Sequence, residues 1–164
     1  MLADAAAAET CSIIATADGI SELDGWIERI SASWRVPGEV VFRARVCVAE
    51  VAANLVEHGR ASPDGDRITV ALRQDGTAVE IELTDTGRAF DPTAPAAGTS
   101  SPDGLGGRGL RLLHAYATAM SYRRAAGHNI LRLRVLPARS GAVSAPAGED
   151  QSARRTTRWR SVNS

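Results

Sequence analysis

Two runs of alternating residues leave the middle of this chain little choice of architecture. In RITVALRQ the apolar positions are Ile68, Val70 and Leu72, and in AVEIELTD they are Val79, Ile81 and Leu83. A period of two is the pattern of a strand with one buried and one exposed face. The runs meet around Asp75-Gly76, a dipeptide suited to a tight turn, so they are expected to form a hairpin. TAMSYRRA and NILRLRVL predict a second hairpin around Gly127, and the β-branched run TCSIIATA predicts a further strand near the start.

Helical periods fill the space between. Ile20, Leu23, Ile27, Ile30 and Trp34 recur at spacings of three and four, predicting a helix capped by Asp18 or Ser21 and separated from the next by Pro37-Gly38. In FRARVCVAEVAANLV, Val48, Val51, Ala52 and Leu55 predict a long helix reaching about Glu57 and stopping near Gly59. On that helix Glu50, Asn54 and His58 fall at i, i+4 and i+8, which sets a carboxylate, an amide and an imidazole beside the apolar stripe. Three polar residues on a helix are by default a solvated face. A carboxylate can also serve as a base or bind a cation, and an amide oxygen is a hard neutral ligand suited to Mg²⁺. His58 is expected to meet the last carbonyls of its own helix rather than a ligand.

With 164 residues the chain has room for one domain with a real core and not comfortably for two. The opening MLADAAAAETC lacks a basic n-region and no run is long enough to span a bilayer, so a cytoplasmic protein with no membrane partner is expected. A disordered start over 1–9, a domain over 10–137 and a disordered, arginine-bearing tail over 138–164 follow from composition. Net charge is zero, so no global field points to nucleic acid. Cys11 and Cys47 have no metal-ligand spacing and are expected to act as small buried hydrophobes. All 19 basic residues are arginines, which excludes any chemistry built on a phosphate-binding or Schiff-base lysine.

From Thr86 to Gly109 the chain loses periodicity and fills with Gly, Pro, Ala and Ser, the composition of a lid or binding loop. At its entrance Asp85-Thr86-Gly87 follows a buried strand, where a carboxylate can accept from an exocyclic amine and a glycine lets the backbone approach a ring. Alone, such a triplet is a turn signal. At its exit Gly104-Leu105-Gly106-Gly107-Arg108-Gly109 leads into a helix predicted from Leu110, Leu112, Leu113 and Tyr116. Glycine amides at a helix N-terminus make an anion cradle.

Taken in order, ExxxN on a helix, DxG after a strand and a glycine cluster opening a helix resemble the nucleotide-binding boxes shared by gyrase, MutL and histidine kinases. The similarity is greatest to the small anti-sigma-factor serine kinases of bacteria, the RsbW/SpoIIAB-like group of the GHKL superfamily. EVAANLVEHG looks like their first box, DTGRAFDP like the second in its Phe-Asp-Pro variant, and GGRGLRLLHAY like the third. The likeness continues through SYRRAAGHNILRLRV and covers about Thr10 to Leu136. It implies an α+β two-layer sandwich of the Bergerat type, a mainly antiparallel sheet with helices on one face. ATP would lie between the helices and the lid. By position, Asn54 would coordinate Mg²⁺, Glu50 would act as general base, Asp85 would read the adenine amine and Gly87 would allow close approach. Gly104, Gly106, Gly107 and Gly109 would wrap the phosphates, with Arg108 neutralising them. The implied reaction is phosphoryl transfer to a serine of a small anti-anti-sigma antagonist of the STAS type, coupled to holding or releasing a sigma factor, with a homodimer as an open state.

Ala89 stands where many relatives carry a second glycine, and HAYATAMSY lacks the acidic residue expected near the end of its helix. Other classes of function stay open at this level. One is a module that uses ATP as a conformational ligand and sequesters a partner without phosphorylating it, against which Glu50 argues. Another is the catalytic fragment of a histidine kinase, disfavoured because no upstream dimerisation helix with a phosphoacceptor histidine is seen. A nucleic-acid role rests only on RRTTRWR near the end, and short charged tails are usually just solvated.

Overall fold

The computed structural model describes residues 8–59, 66–93 and 108–138. Five strands, β1 (Ala8–Ile14), β2 (Arg67–Asp75), β3 (Ala78–Asp85), β4 (Ala119–Ala125) and β5 (His128–Val135), form one sheet in the order β1-β2-β3-β5-β4. Every neighbouring pair is antiparallel. Three helices, α1 (Ala17–Ser33), α2 (Gly38–Asn54) and α3 (Arg108–Tyr116), cover one face of it. This is the two-layer α+β sandwich that the resemblance implied.

Alternation does what the sequence promised. Ile68, Val70 and Leu72 on β2, Val79, Ile81 and Leu83 on β3, and Leu131, Leu133 and Val135 on β5 are all buried on the helical side. α2 lies at the centre of the helical layer and turns Val40, Ala44, Cys47, Val48 and Ala52 inward. Two alanines and a cysteine on that stripe keep the helix close to the sheet. Cys47 is fully buried and its thiol is pushed up to about 11 by desolvation, so it behaves as the small hydrophobe expected, whereas Cys11 is only half-buried. A two-pronged ion pair from Arg45 to Asp24, 2.7 and 2.6 Å, ties α2 to α1 and holds the Asp24 carboxyl below its ordinary range.

The opposite face of the sheet is open and charged. Glu80 pairs with Arg73 on β2 and with Arg134 on β5, Arg134 also reaches Asp75 at 2.5 Å, and Arg132 meets Glu82 at 2.6 Å. Opposite charges stand directly across from one another in the strand register, which is the arrangement that favours pairing.

Several local expectations change. The cap of α1 is Thr16, whose hydroxyl accepts from the Gly19 amide at 3.1 Å. Asp18 and Ser21 both lie inside the helix, and the Ser21 hydroxyl donates back to the Ala17 carbonyl instead. The chain already turns at Thr16, where its amide bonds the Ile14 carbonyl, so the helix starts earlier than the apolar period suggests. The break after α1 is made by Arg35 in a left-handed conformation, φ 57°, while Pro37 caps α2 and Gly38 is its first residue. β1 begins at Ala8, ahead of the strand expected from Thr10. α2 ends as a regular helix at Asn54 and continues as one π turn, Leu55–Gly59. Among the described residues no helix is long and apolar enough to cross a membrane.

Candidate functional site

Where α2 gives way to the π turn, a cavity of about 260 Å³ opens toward the ends of β3 and β5. Val51, Leu55, Phe90, Pro92 and Leu131 make its walls mostly apolar, and Asn54, His58, Asp85, Arg88, Tyr122 and Asn129 are the polar residues that line it. An apolar slot with a few fixed polar atoms is the general form of a small-molecule site.

Asp85 is the last residue of β3 and is 8% exposed. Its Oδ1 accepts from the Gly87 amide at 2.8 Å and from Asn129 Nδ2 at 2.7 Å. Burial pushes its carboxyl above the ordinary range, those two bonds and the Arg124 guanidinium pull it back, and nearby Asp66 adds to the rise. A buried carboxylate is tolerated only when hydrogen-bonded, and these donors meet that condition.

Asn54, at the end of α2, lies on the cavity wall. His58 also borders the cavity, its largely exposed ring 3.6 Å from Glu57. An i→i+5 turn adds a residue to the helical repeat, and such turns concentrate at functional sites. Glu50, one turn before Asn54, is not on the cavity wall. Its carboxylate packs against the first turn of α3, in the space that a side chain at Gly109 would fill. The first and third boxes therefore touch through Glu50 and Gly109.

Gly87 joins Asp85 through its amide, and its carbonyl accepts from Arg124 at 3.1 Å. Neither Gly87 nor Ala89 has a positive φ, so the turn after β3 does not need a second glycine at 89. Gly104, Gly106 and Gly107 lie outside the described residues, as does the 94–107 part of the stretch expected to form a lid. Arg108 opens α3.

One residue of the site escapes the sequence motifs. Asn129 on β5 stands directly opposite Asp85 in the β3–β5 register and is buried. Its signal was available as a polar residue on the inward row that Leu131, Leu133 and Val135 continue. Tyr122 and Arg124 on the edge strand β4 complete the cluster, both donating to Asn129 Oδ1, at 2.8 and 2.6 Å.

A family model described as a histidine kinase-like ATPase domain matches residues 13–135. The serine/threonine-protein kinase BtrW of Bordetella bronchiseptica is 32% identical over 129 residues, a stretch covering 76% of this chain and 91% of BtrW. Among solved structures, that of the RsbU and RsbW domains of Rv1364c from Mycobacterium tuberculosis superimposes with a TM-score of 0.59 at 17% identity, over 79% of this chain and 32% of that one. The chain thus spans about a third of that larger protein, and the likeness is one of fold.

Proposed function

The chain belongs to the histidine kinase-like ATPase domain family, and from that membership we propose that it binds ATP with Mg²⁺ in the cavity beside Asp85 and transfers the γ-phosphoryl group to a serine of a small anti-anti-sigma antagonist of the STAS type. Regulation of a sigma factor would follow by partner switching. The observation that carries this reading is the Asp85 carboxylate, held by Gly87 and Asn129 against an apolar cavity with Asn54 on its wall. The name of its relative BtrW, a serine/threonine-protein kinase, supports the same class of reaction.

In this reading Asp85 accepts from the adenine amine, and Gly87 lets the ring approach the backbone. Gly104, Gly106, Gly107 and Gly109, with Arg108, receive the phosphates at the start of α3. Asn54 offers an amide oxygen to Mg²⁺; among the described residues no three His, Cys, Asp or Glu side chains gather to hold a metal on their own. When bound, the metal neutralises phosphate charge. Glu50 takes the proton of the attacking serine hydroxyl, a role that its contact with Gly109 in the first turn of α3 supports. Phosphoryl transfer asks mainly for positioning and charge neutralisation, so a chain without lysine can perform it.

The test is incubation with labelled ATP, Mg²⁺ and small antagonist proteins encoded near its gene, reading label on a partner serine. Glu50→Gln should leave ATP affinity nearly intact and slow transfer by roughly two to four orders of magnitude. Equal rates in mutant and wild type would favour a module that sequesters its partner without phosphorylating it. Asn54→Ala should remove the Mg²⁺-dependent part of ATP affinity in calorimetry, and an unchanged titration would take Asn54 out of the metal site.

A further inference from the structure

Arginine has no acceptor atom, so the Asn129 amide atom that meets Arg124 Nη1 at 2.6 Å must be its oxygen. The Tyr122 hydroxyl donates to the same oxygen at 2.8 Å. These two bonds forbid a flip of the amide and commit Nδ2 to the other side. There it donates to Asp85 Oδ1 at 2.7 Å and to the Arg88 carbonyl at 2.9 Å, with the Gly87 carbonyl further off at 3.4 Å. Asp85 Oδ1 receives a second bond from the Gly87 amide. Both donor sites of Nδ2 and both lone-pair directions of Oδ1 are then in use.

We propose that Asn129 is the positioning residue that sets purine selectivity in this site: it occupies Asp85 Oδ1, leaves Oδ2 as the one open acceptor, and so makes the cavity read an amine rather than a carbonyl at the purine 6-position. The proposal rests on the nucleotide-site reading above and assigns the side chain that gives that reading its sharpness. It has a chemical consequence. With Oδ1 saturated by two donors, any proton that Asp85 takes up goes onto Oδ2, turning an acceptor into a donor. A protonated site then favours a 6-carbonyl purine such as hypoxanthine over adenine. The charged and titratable groups around Asp85 are Asp66 just before β2, Tyr122 and Arg124 on β4, Arg88 in the following loop and His58 beyond α2. Burial already lifts the Asp85 carboxyl, and the Asn129 bond is the largest influence opposing that rise.

The experiment compares ADP with IDP, binding measured by calorimetry across the acid range for wild type and Asn129→Val, a strand-compatible change that removes the donor. In wild type ADP affinity should fall on acidification while IDP affinity holds or rises. In Asn129→Val the midpoint of that exchange should move up by about one to two pH units, as expected for losing a hydrogen bond to a charged group, and the ADP preference at neutral pH should shrink about tenfold. A merely structural role would lower both affinities together and leave the midpoint in place. An Asn129→Val profile that overlays wild type overturns the proposal. Should that variant not fold, Asn129→Ala, which also removes the donor, is read in its place: a raised midpoint supports the proposal, and a midpoint equal to that of wild type overturns it. Failure of wild type to bind ADP at any pH would instead strike the nucleotide-site reading itself, a result distinguishable from the others.

Discussion

At Asp85 two demands pull against each other. Burial favours the neutral acid, whereas the hydrogen bond from an amine proposed above is strongest to the carboxylate. Because the carboxyl is raised in the folded state, the folded protein takes up its proton at a higher pH than the unfolded chain does. Its ionisation therefore opposes folding, and that penalty disappears as pH falls through the raised value. Asp24 behaves in the opposite sense: lowered by Arg45, it contributes stability above its unfolded value and loses it as pH falls. Asp85→Asn should consequently leave the nucleotide-free protein at least as stable as wild type at neutral pH in a denaturant titration. The same variant should bind adenine nucleotides roughly 10- to 100-fold more weakly, since a charged hydrogen bond is lost, with guanine nucleotides less affected. Undiminished ADP affinity would remove Asp85 from the site. Of these residues Asp85 is singled out only once its triplet is taken together with the other two boxes, since alone it is a turn signal. Asn129 could be placed on the inward row of its strand, but not against Asp85, because its partner is 44 residues away in sequence and only the strand register brings them together.

Among the elements α2 does the most, since one rigid helix carries core residues, Glu50 and Asn54. Ala52 is fully buried between that helix and the sheet, whereas its neighbour Ala53 is exposed. Ala52→Leu should lever the helix outward, at about 1–3 kcal/mol of stability, and weaken ATP binding because Asn54 moves with it. Ala53→Leu should do neither, and equal effects from the two would deny that the helix is positioned by its contact with the sheet. Strands and hairpins were legible because a period of two needs no context, and Gly76 and Gly127 do take the positive φ of their turns, 60° and 82°. Helix ends were harder. The cap at Thr16 depends on the path by which β1 hands the chain to α1, and the π turn after Asn54 leaves no mark on an apolar period.

For the molecule as a whole, the two faces of the sheet divide labour unequally. On β3, Leu83 points into the core and Glu82 points to the open face, where it meets Arg132. Leu83→Ala should destabilise by about 2–5 kcal/mol. Glu82→Ala should cost at most about 1 kcal/mol, and less in high salt, because exposed pairs are screened. Thermal or chemical unfolding of the two variants would check this, and comparable losses would mean that the charged ladder holds the sheet as strongly as the core does. The facing of Asp85 and Asn129 across β3 and β5 reaches further than selectivity. A slip of one residue between those strands would turn Asn129 to the open face and leave Asp85 with the Gly87 amide but without its side-chain donor. Any ligand that needs both rewards only chains whose strands are correctly aligned, by about 2.7 kcal/mol at a concentration one hundred times its dissociation constant. During folding in a nucleotide-rich medium, the ligand would thus serve as a proofreader of strand alignment, admitting to the bound population only molecules that have already zipped in the right register.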